Sequence, residues 1–247
     1  MNLVEYERMF EAEETHWWYA GMRAISFALL EGFLEPPRDG GRVPLILDTG
    51  CGTGNNLKHL GRRGRTVGID LSDEAVRFCW TRGVSVVRAG LLGLPFARGV
   101  FDCVTSFDVL YHRWVTDDRA AMGEMARVLR PGGILLVRLP ALEILRRAHD
   151  EAVHTRHRYT RREAMTLVRG AGLEVLRATY CNSLLLPLVV LRSALDSVFG
   201  SQASELQPLP LPVEWTFRCC LGLEAFLVRR VSLPLGASVF ALARKPL

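Results

Sequence analysis

The stretch Leu45-Ile46-Leu47-Asp48-Thr49-Gly50-Cys51-Gly52-Thr53-Gly54-Asn55-Asn56-Leu57 decides the fold. A short apolar run ends in an acid and opens into glycines at alternate positions, Gly50, Gly52 and Gly54, before a helical pattern begins. This predicts a buried strand, a tight turn and the start of a helix. Glycines suit the turn because it visits backbone angles that a Cβ forbids, and because a ligand must approach the main chain closely. A small cofactor is expected over this loop.

Outward from the loop, Thr66-Val67-Gly68-Ile69-Asp70 is a second apolar run ending in an acid, 22 positions after Asp48. In doubly wound folds an acid about 20 residues past the glycine turn reaches the ribose hydroxyls of an adenosine-containing ligand, since two carboxylate oxygens match two vicinal hydroxyls. Asp70 is that candidate. Ser72 then suits a helix N-cap, with Asp73 and Glu74 in the first turn and Gly83 at the end. Further strands are expected at Val84 to Val87, Phe101 to Phe107, Ile134 to Leu139, Leu173 to Tyr180 and Ala237 to Ala243. Between them, Asp117-Asp118 begins a helix with Met122, Met125, Ala126 and Leu129 on its inner face, stopped by Arg130-Pro131-Gly132-Gly133. Thr160-Arg161-Arg162-Glu163 has the capping-box pattern of another helix. Such regular alternation argues for an α/β fold, a mostly parallel sheet with helices on both faces.

Two segments fall outside this alternation. Residues 1–42 read as an N-terminal helical cap of two short helices, carrying the cluster Thr15-His16-Trp17-Trp18-Tyr19, whose large aromatics with polar edges suit a pocket wall. Residues 43–247 read as the main domain, with a Leu- and Pro-rich helical insertion at 181–236 between strands six and seven. One insertion helix is expected within Leu184 to Phe199 and another around Trp215 to Arg230, separated by Pro208-Leu209-Pro210-Leu211-Pro212.

A chain of 247 residues, 49% hydrophobic and 23% charged, has the length for one sizeable core and the composition of an ordered globular protein. Its formal charge of +5 rests almost wholly on arginine, with Lys58 and Lys245 the lysines, and it carries no interleaved basic and aromatic stripe. No nucleic-acid partner is expected. The six cysteines are scattered in apolar stretches, at neither metal-ligand nor disulfide spacings, so reduced thiols and no metal are expected. The acidic N-terminus is unlike a secretory leader, and the run Leu184 to Leu191, broken by Pro187, is far shorter than the roughly 20 residues of a spanning helix. A cytoplasmic location follows as an expectation. Peripheral contact with a membrane or a lipid-linked substrate, and the oligomeric state, are left open by the sequence.

A glycine turn with a distal acid fits both NAD and S-adenosylmethionine, and the spacing decides between them. The dinucleotide pattern Gly-x-Gly-x-x-Gly fails in both registers, since the third position is Asn55 or Leu57. What is present is Asp-x-Gly-x-Gly-x-Gly. Here the sequence resembles the class I S-adenosylmethionine-dependent methyltransferases, within them the small-molecule "type 11" group. Asp48 to Gly54 looks like the family's first motif and Gly68-Ile69-Asp70-Leu71-Ser72 like its second. Leu94-Pro95-Phe96 with Phe101-Asp102 looks like the third, and Leu129-Arg130-Pro131-Gly132-Gly133 like the turn before strand five. The resemblance implies a Rossmann-like seven-stranded sheet of order 3-2-1-4-5-7-6 with strand seven antiparallel, and S-adenosyl-L-methionine as cofactor. It further implies that Gly50, Cys51, Gly52 and Gly54 contact the methionine portion, Asp70 the ribose, and Leu71, Gly90 and Leu91 the adenine. Asp48 either braces the loop or touches the cofactor. One departure is that many relatives carry an acid after strand three, where this chain reads Arg88-Ala89-Gly90-Leu91-Leu92.

A sulfonium is a good leaving group, so methyl transfer needs an in-line nucleophile shielded from water, and a base only where the nucleophile is a weak acid. Two groups lie at expected strand ends: Ser106, Asp108, Tyr111 and His112 after strand four, and His149, Asp150, His154, His157, Arg158 and Tyr159 after strand five. His149 and His154 are favoured over His112 as proton acceptors. Arg158 is expected to bind an anionic substrate group, with His157, Tyr159, Trp17 and Trp18 also facing substrate. The resulting expectation is methyl transfer to an oxygen of a small molecule. Two alternatives stand beside it, an RNA methyltransferase and an inactive cofactor-binding partner protein.

Overall fold

Alternating side chains along β1 (Leu45–Thr49) divide the core into two layers, Ile46 facing one way and Leu47 the other, both fully buried. The computed structural model describes residues 3–35, 41–146, 150–151, 154–199 and 209–247. Strands β2 (Arg65–Asp70), β3 (Val86–Arg88), β4 (Phe101–Phe107), β5 (Leu129–Pro140), β6 (Glu174–Cys181) and β7 (Ser238–Arg244) join β1 in one sheet. Its order is β3-β2-β1-β4-β5-β7-β6, as the resemblance implies. The pairs β1–β2, β1–β4, β2–β3 and β4–β5 are parallel, and β7 runs antiparallel between β5 and β6.

Helices cover both faces. Leu47, Val104 and Leu135 of the sheet pack with Met122 and Met125 of α5 (Asp118–Val128) and with Leu167 and Val168 of α6 (Arg161–Gly170). On the other face Ile46, Cys103, Leu136 and Phe240 pack with Met22, Ile25 and Leu29 of α2 (Trp17–Leu30) and with Leu221 of α8 (Leu211–Leu227). Ahead of α2 lies α1 (Leu3–Ala12); α3 (Asn55–Leu60) and α4 (Asp73–Thr81) follow β1 and β2, and α7 (Leu186–Phe199) follows β6. Caps agree with the sequence. Ser72 accepts from the Ala75 N–H, Asp117 from the Ala120 N–H, and Thr160 with Glu163 forms a capping box.

Arg130-Pro131-Gly132-Gly133 is a bulged turn within the span of β5: Phe101 pairs with Leu129 and Cys103 with Ile134, so the four residues stand outside the pairing with β4, opposite Asp102, with Gly132 at φ +75°. One boundary differs from expectation. Pro212, expected in a linker, falls in the first turn of α8, where a missing N–H breaks no helical bond.

The insertion helix α8 is fastened into the fold. A Cβ on Gly21 of α2 would lie 2.3 Å from Leu221 Cδ1, so the glycine permits the two helices to meet closely. Glu224, fully buried on α8, accepts the N–H groups of Asn182, Ser183 and Leu184 at 2.6, 2.7 and 2.7 Å. One carboxylate therefore satisfies three backbone donors where the chain leaves β6. Asp102, part of the third motif, sits at the start of β4. It accepts the Leu45 N–H at 2.8 Å and pairs with Arg42 and Arg130 at 2.5 and 2.6 Å, pinning the end of the sheet opposite the glycine loop.

Candidate functional site

The carboxyl ends of β1, β2 and β4 converge on the glycine loop. Gly50, Gly52 and Gly54 hold φ of +73°, +54° and +83°, the left-handed region that disfavours a Cβ. At Gly50 the space is closed as well, since a Cβ would lie 2.3 Å from Val109 Cγ2, just beyond the end of β4. The loop is joined to β2 through Asp70. Its Oδ2 accepts the Gly52 N–H and its Oδ1 the Ser72 N–H, each at 3.0 Å. Burial pushes its pKa up, against the pull of these backbone donors. An ionised carboxylate has about four acceptor positions, so two backbone bonds leave room for a pair of hydroxyls. Leu71 beside it is 58% exposed, and its Cδ1 lies 3.8 Å from the position of a Cβ on Gly90. Leu71 thus packs beside Gly90, while Leu91 is buried in the core below. No acid follows β3 in the sequence Ala89-Gly90-Leu91-Leu92.

Asp48 is buried and accepts the Thr105 hydroxyl at 2.6 Å; burial raises its pKa to about 7. Its observed work is bracing β1 to β4. Cys51 is buried with its Sγ 3.7 Å from that of Cys79, which packs the loop against α4.

Over the loop lies α1. Met9 Cε is 3.1 Å from where a Cβ on Gly52 would be, and buried Tyr6 stands beside Ser72 and Asp70, its pKa raised to about 12 chiefly by burial and then by the Asp70 charge. Glu13, 7% exposed, receives the Thr53 hydroxyl and the Arg82 guanidinium; burial lifts its pKa to about 7. None of these residues figured among the sequence candidates.

The acceptor-side candidates separate into distinct places. His112 stacks on Tyr111 with ring centroids 4.6 Å apart, and both His112 and His154 approach Trp114, at 5.8 and 4.9 Å. These two histidines, far apart in sequence, are joined where residue 112 bridges residue 155. His149 lies outside the described residues. His157 faces Glu163 and Glu143 at 3.6 and 4.0 Å and meets the Tyr159 ring edge-on. Tyr159 is buried and donates to Asp118 at 2.7 Å, and Arg158 donates to Asp150 and to the Ala141 carbonyl, both at 3.0 Å. Arg158 and Tyr159 therefore tie the segment after β5 to α5 and to the β5 end. Trp17 packs edge-on against Phe217 of α8 at 4.8 Å, while the Trp18 ring covers the Arg138 guanidinium at 5.2 Å.

Arg138 and Asp108 form a second unanticipated cluster. Arg138, 7% exposed, gives Nε and Nη2 to Asp108 Oδ2 at 2.9 and 2.5 Å. Asp108 takes φ +58° at the end of β4, next to the valine that touches Gly50. An arginine inside the apolar strand Ile134-Leu-Leu-Val-Arg138-Leu139 was a readable signal, because a buried charge demands a partner.

Residues 47–137 match a family model described as a methyltransferase domain. A probable tRNA methyltransferase 9B of Mus musculus is 33% identical over 132 residues, covering 53% of this chain and 29% of that protein. A ubiquinone/menaquinone biosynthesis C-methyltransferase of Klebsiella pneumoniae is 36% identical over 125 residues, covering 44% and 49%. The chain thus matches less than half the length of each. Among solved structures, a Haemonchus contortus phosphoethanolamine N-methyltransferase 2 in complex with S-adenosyl-L-methionine superposes with a TM-score of 0.58, at 16% identity, over 90% of this chain and 52% of that one. The expectation of no nucleic-acid partner is corrected by these relatives, since tRNA methyltransferases stand among them. It failed because net charge and residue patterning describe a surface and do not identify the acceptor of a site. Among the described residues no helix is long and apolar enough to cross a membrane. Residues 47–137 thus carry a methyltransferase-type domain, on a fold whose motifs and sheet order resemble those of the class I S-adenosylmethionine-dependent methyltransferases.

Proposed function

We propose that the chain transfers the methyl group of S-adenosylmethionine to an oxygen nucleophile of a small-molecule acceptor by in-line displacement. The observation that carries this reading is the union of Asp70 with the Gly52 N–H, which makes the ribose acid and the glycine loop one rigid unit. In it Asp70 would hold the ribose, Leu71, Gly90 and Leu91 would border the adenine, and Gly50, Cys51, Gly52 and Gly54 would run beside the methionine portion, with Asp48 bracing from below. The cofactor supplies a methyl carbon on a sulfonium leaving group. The chain's part is to hold the acceptor in line, exclude water and take up a proton. His112 and His154 around Trp114, together with Asp108, are proposed as the groups beyond β4 and β5 that accept one. His157, Trp17 and Trp18 are proposed to border the acceptor.

RNA is the second acceptor reading, favoured by the tRNA methyltransferase relatives. Incubation with isotope-labelled methyl donor, in parallel with fractionated small-molecule extract and with total RNA, followed by mass spectrometry, separates the two. Label in a small-molecule fraction is expected. Label confined to RNA would replace the acceptor class, and donor binding with label in neither would support a binding-only protein.

A further inference from the structure

Most of the side chains that hold α1 in place come from the segments that form the donor site, with Arg23 of α2 adding a bond to the Glu13 carbonyl at 3.2 Å. Thr53 of the glycine loop donates to the Glu13 carboxylate, and Asn55 at the start of α3 donates to the Glu13 carbonyl at 2.9 Å. From the end of α4, Arg82 reaches Glu13 at 3.1 Å, Glu14 at 3.2 Å and the Phe10 carbonyl at 3.0 Å, with its guanidinium 4.2 Å above the Phe10 ring. Phe10 meets Phe78 of α4 at 4.9 Å, and Lys58 of α3 pairs with Glu14 at 2.6 Å. Between these fastenings, Tyr6 stands beside Asp70 and Ser72, and Met9 lies over Gly52. A helix of 10 residues is marginal by itself in water, so α1 persists through this docking.

We propose that Tyr6 and Met9 are donor-binding residues that roof the glycine loop, and that the buried Glu13–Thr53–Arg82 contact is the latch holding the roof closed. The inference rests on the donor reading of the loop and extends it to residues outside the family motifs. Met9 is suited to the position because an unbranched, flexible thioether can swing aside and then lie along an apolar arm. Tyr6 is buried with its hydroxyl against Ser72, whose N–H Asp70 accepts, so a hydroxyl-bearing ligand on Asp70 would meet a further polar group there. Opening the roof would require breaking the Glu13 cluster while α2, buried against the sheet, stays in place.

The test uses the full chain and S-adenosylhomocysteine. Dissociation rates are measured by stopped flow, and amide hydrogen exchange of residues 5–12 is followed with and without ligand. Glu13→Gln keeps the side chain's shape and removes the charge that Glu13 carries above about pH 7, and at pH 8 is expected to raise the dissociation rate about tenfold. Met9→Ala and Tyr6→Phe are expected to weaken binding about three- to tenfold, and ligand is expected to slow exchange across residues 5–12. Dissociation rates within twofold of wild type in all three variants, or exchange in residues 5–12 that ligand leaves unchanged, would overturn the roof. Exchange measurements on each variant without ligand show whether the sheet is intact. Absence of binding by the wild-type chain would instead overturn the donor site itself.

Discussion

Replacing Gly50 with alanine tests whether the first loop glycine is held by two separable constraints. Its φ of +73° costs a residue bearing a Cβ about 1–2 kcal/mol. The new Cβ would also lie 2.3 and 2.6 Å from the two methyls of Val109. Val109 is β-branched and has few χ1 alternatives, and overpacking of this kind costs about 1–3 kcal/mol. Gly50→Ala should therefore lose about 2–5 kcal/mol of unfolding free energy. Val109→Ala removes both colliding methyls, so in that background the same substitution should lose only the backbone share, about 1–2 kcal/mol. Urea unfolding of the four proteins closes the cycle, and S-adenosylhomocysteine titration of each shows whether the loop still accepts a ligand. A loss below about 0.5 kcal/mol in the single variant, the size of an ordinary surface change, would refute the reasoning. An equal loss with and without Val109 would refute the steric half of it.

Three further outcomes are expected. Glu224→Gln replaces an oxygen that accepts backbone N–H groups with an amide nitrogen, and should lower stability by about 2–4 kcal/mol in thermal or urea unfolding; a change within about 0.5 kcal/mol would contradict its capping role. Arg158→Ala removes a guanidinium partner from buried Asp150 and from the Ala141 carbonyl, and should lower stability by about 2–4 kcal/mol; lost turnover with unchanged melting would point to the substrate role instead. Glu13 and Asp48 keep their protons in the fold up to about pH 7, whereas in the unfolded chain they ionise near pH 4, so the native state binds more protons in between. Their contribution is therefore full below about pH 4 and falls as pH rises through 7, by about 3 kcal/mol for Glu13 and about 4 kcal/mol for Asp48. The difference in urea midpoint between wild type and Glu13→Gln, and between wild type and Asp48→Asn, should change between pH 5 and pH 8, and a constant difference would sink this assignment.

How much could be read from the residues differs between the donor and acceptor sides for a physical reason. The donor site is built from backbone, and backbone requirements leave marks in sequence: a turn at positive φ selects Gly50, Gly52 and Gly54, and a strand ending in an acid marks Asp70. The sheet follows from the same regularity, because buried parallel strands are short apolar runs separated by amphipathic helices. Contacts between distant side chains leave no such mark. Nothing near Glu13 in the chain announces Thr53 and Arg82, which are 40 and 69 positions away. Nothing in the residues around Arg158 and Trp17 announces that Arg158 meets Asp150 and the Ala141 carbonyl, or that Trp17 meets Phe217. Arg138 is the intermediate case, conspicuous in an apolar strand but without a partner identified until the fold brings Asp108 to it.

The central claim is that Asp70 and the glycine loop form one donor site, and calorimetric titration of S-adenosylhomocysteine into the wild-type chain and into Asp70→Asn tests it most directly. Asparagine keeps the shape but can accept at one end only, so it must give up either the Gly52 or the Ser72 N–H along with the charge offered to ribose hydroxyls. Loss of a charge-assisted hydrogen bond corresponds to about a ten- to hundredfold weakening. The expected result is saturable binding by the wild-type chain, weakened by that factor in the variant. No binding by the wild type, or equal affinity in both proteins, would contradict the account.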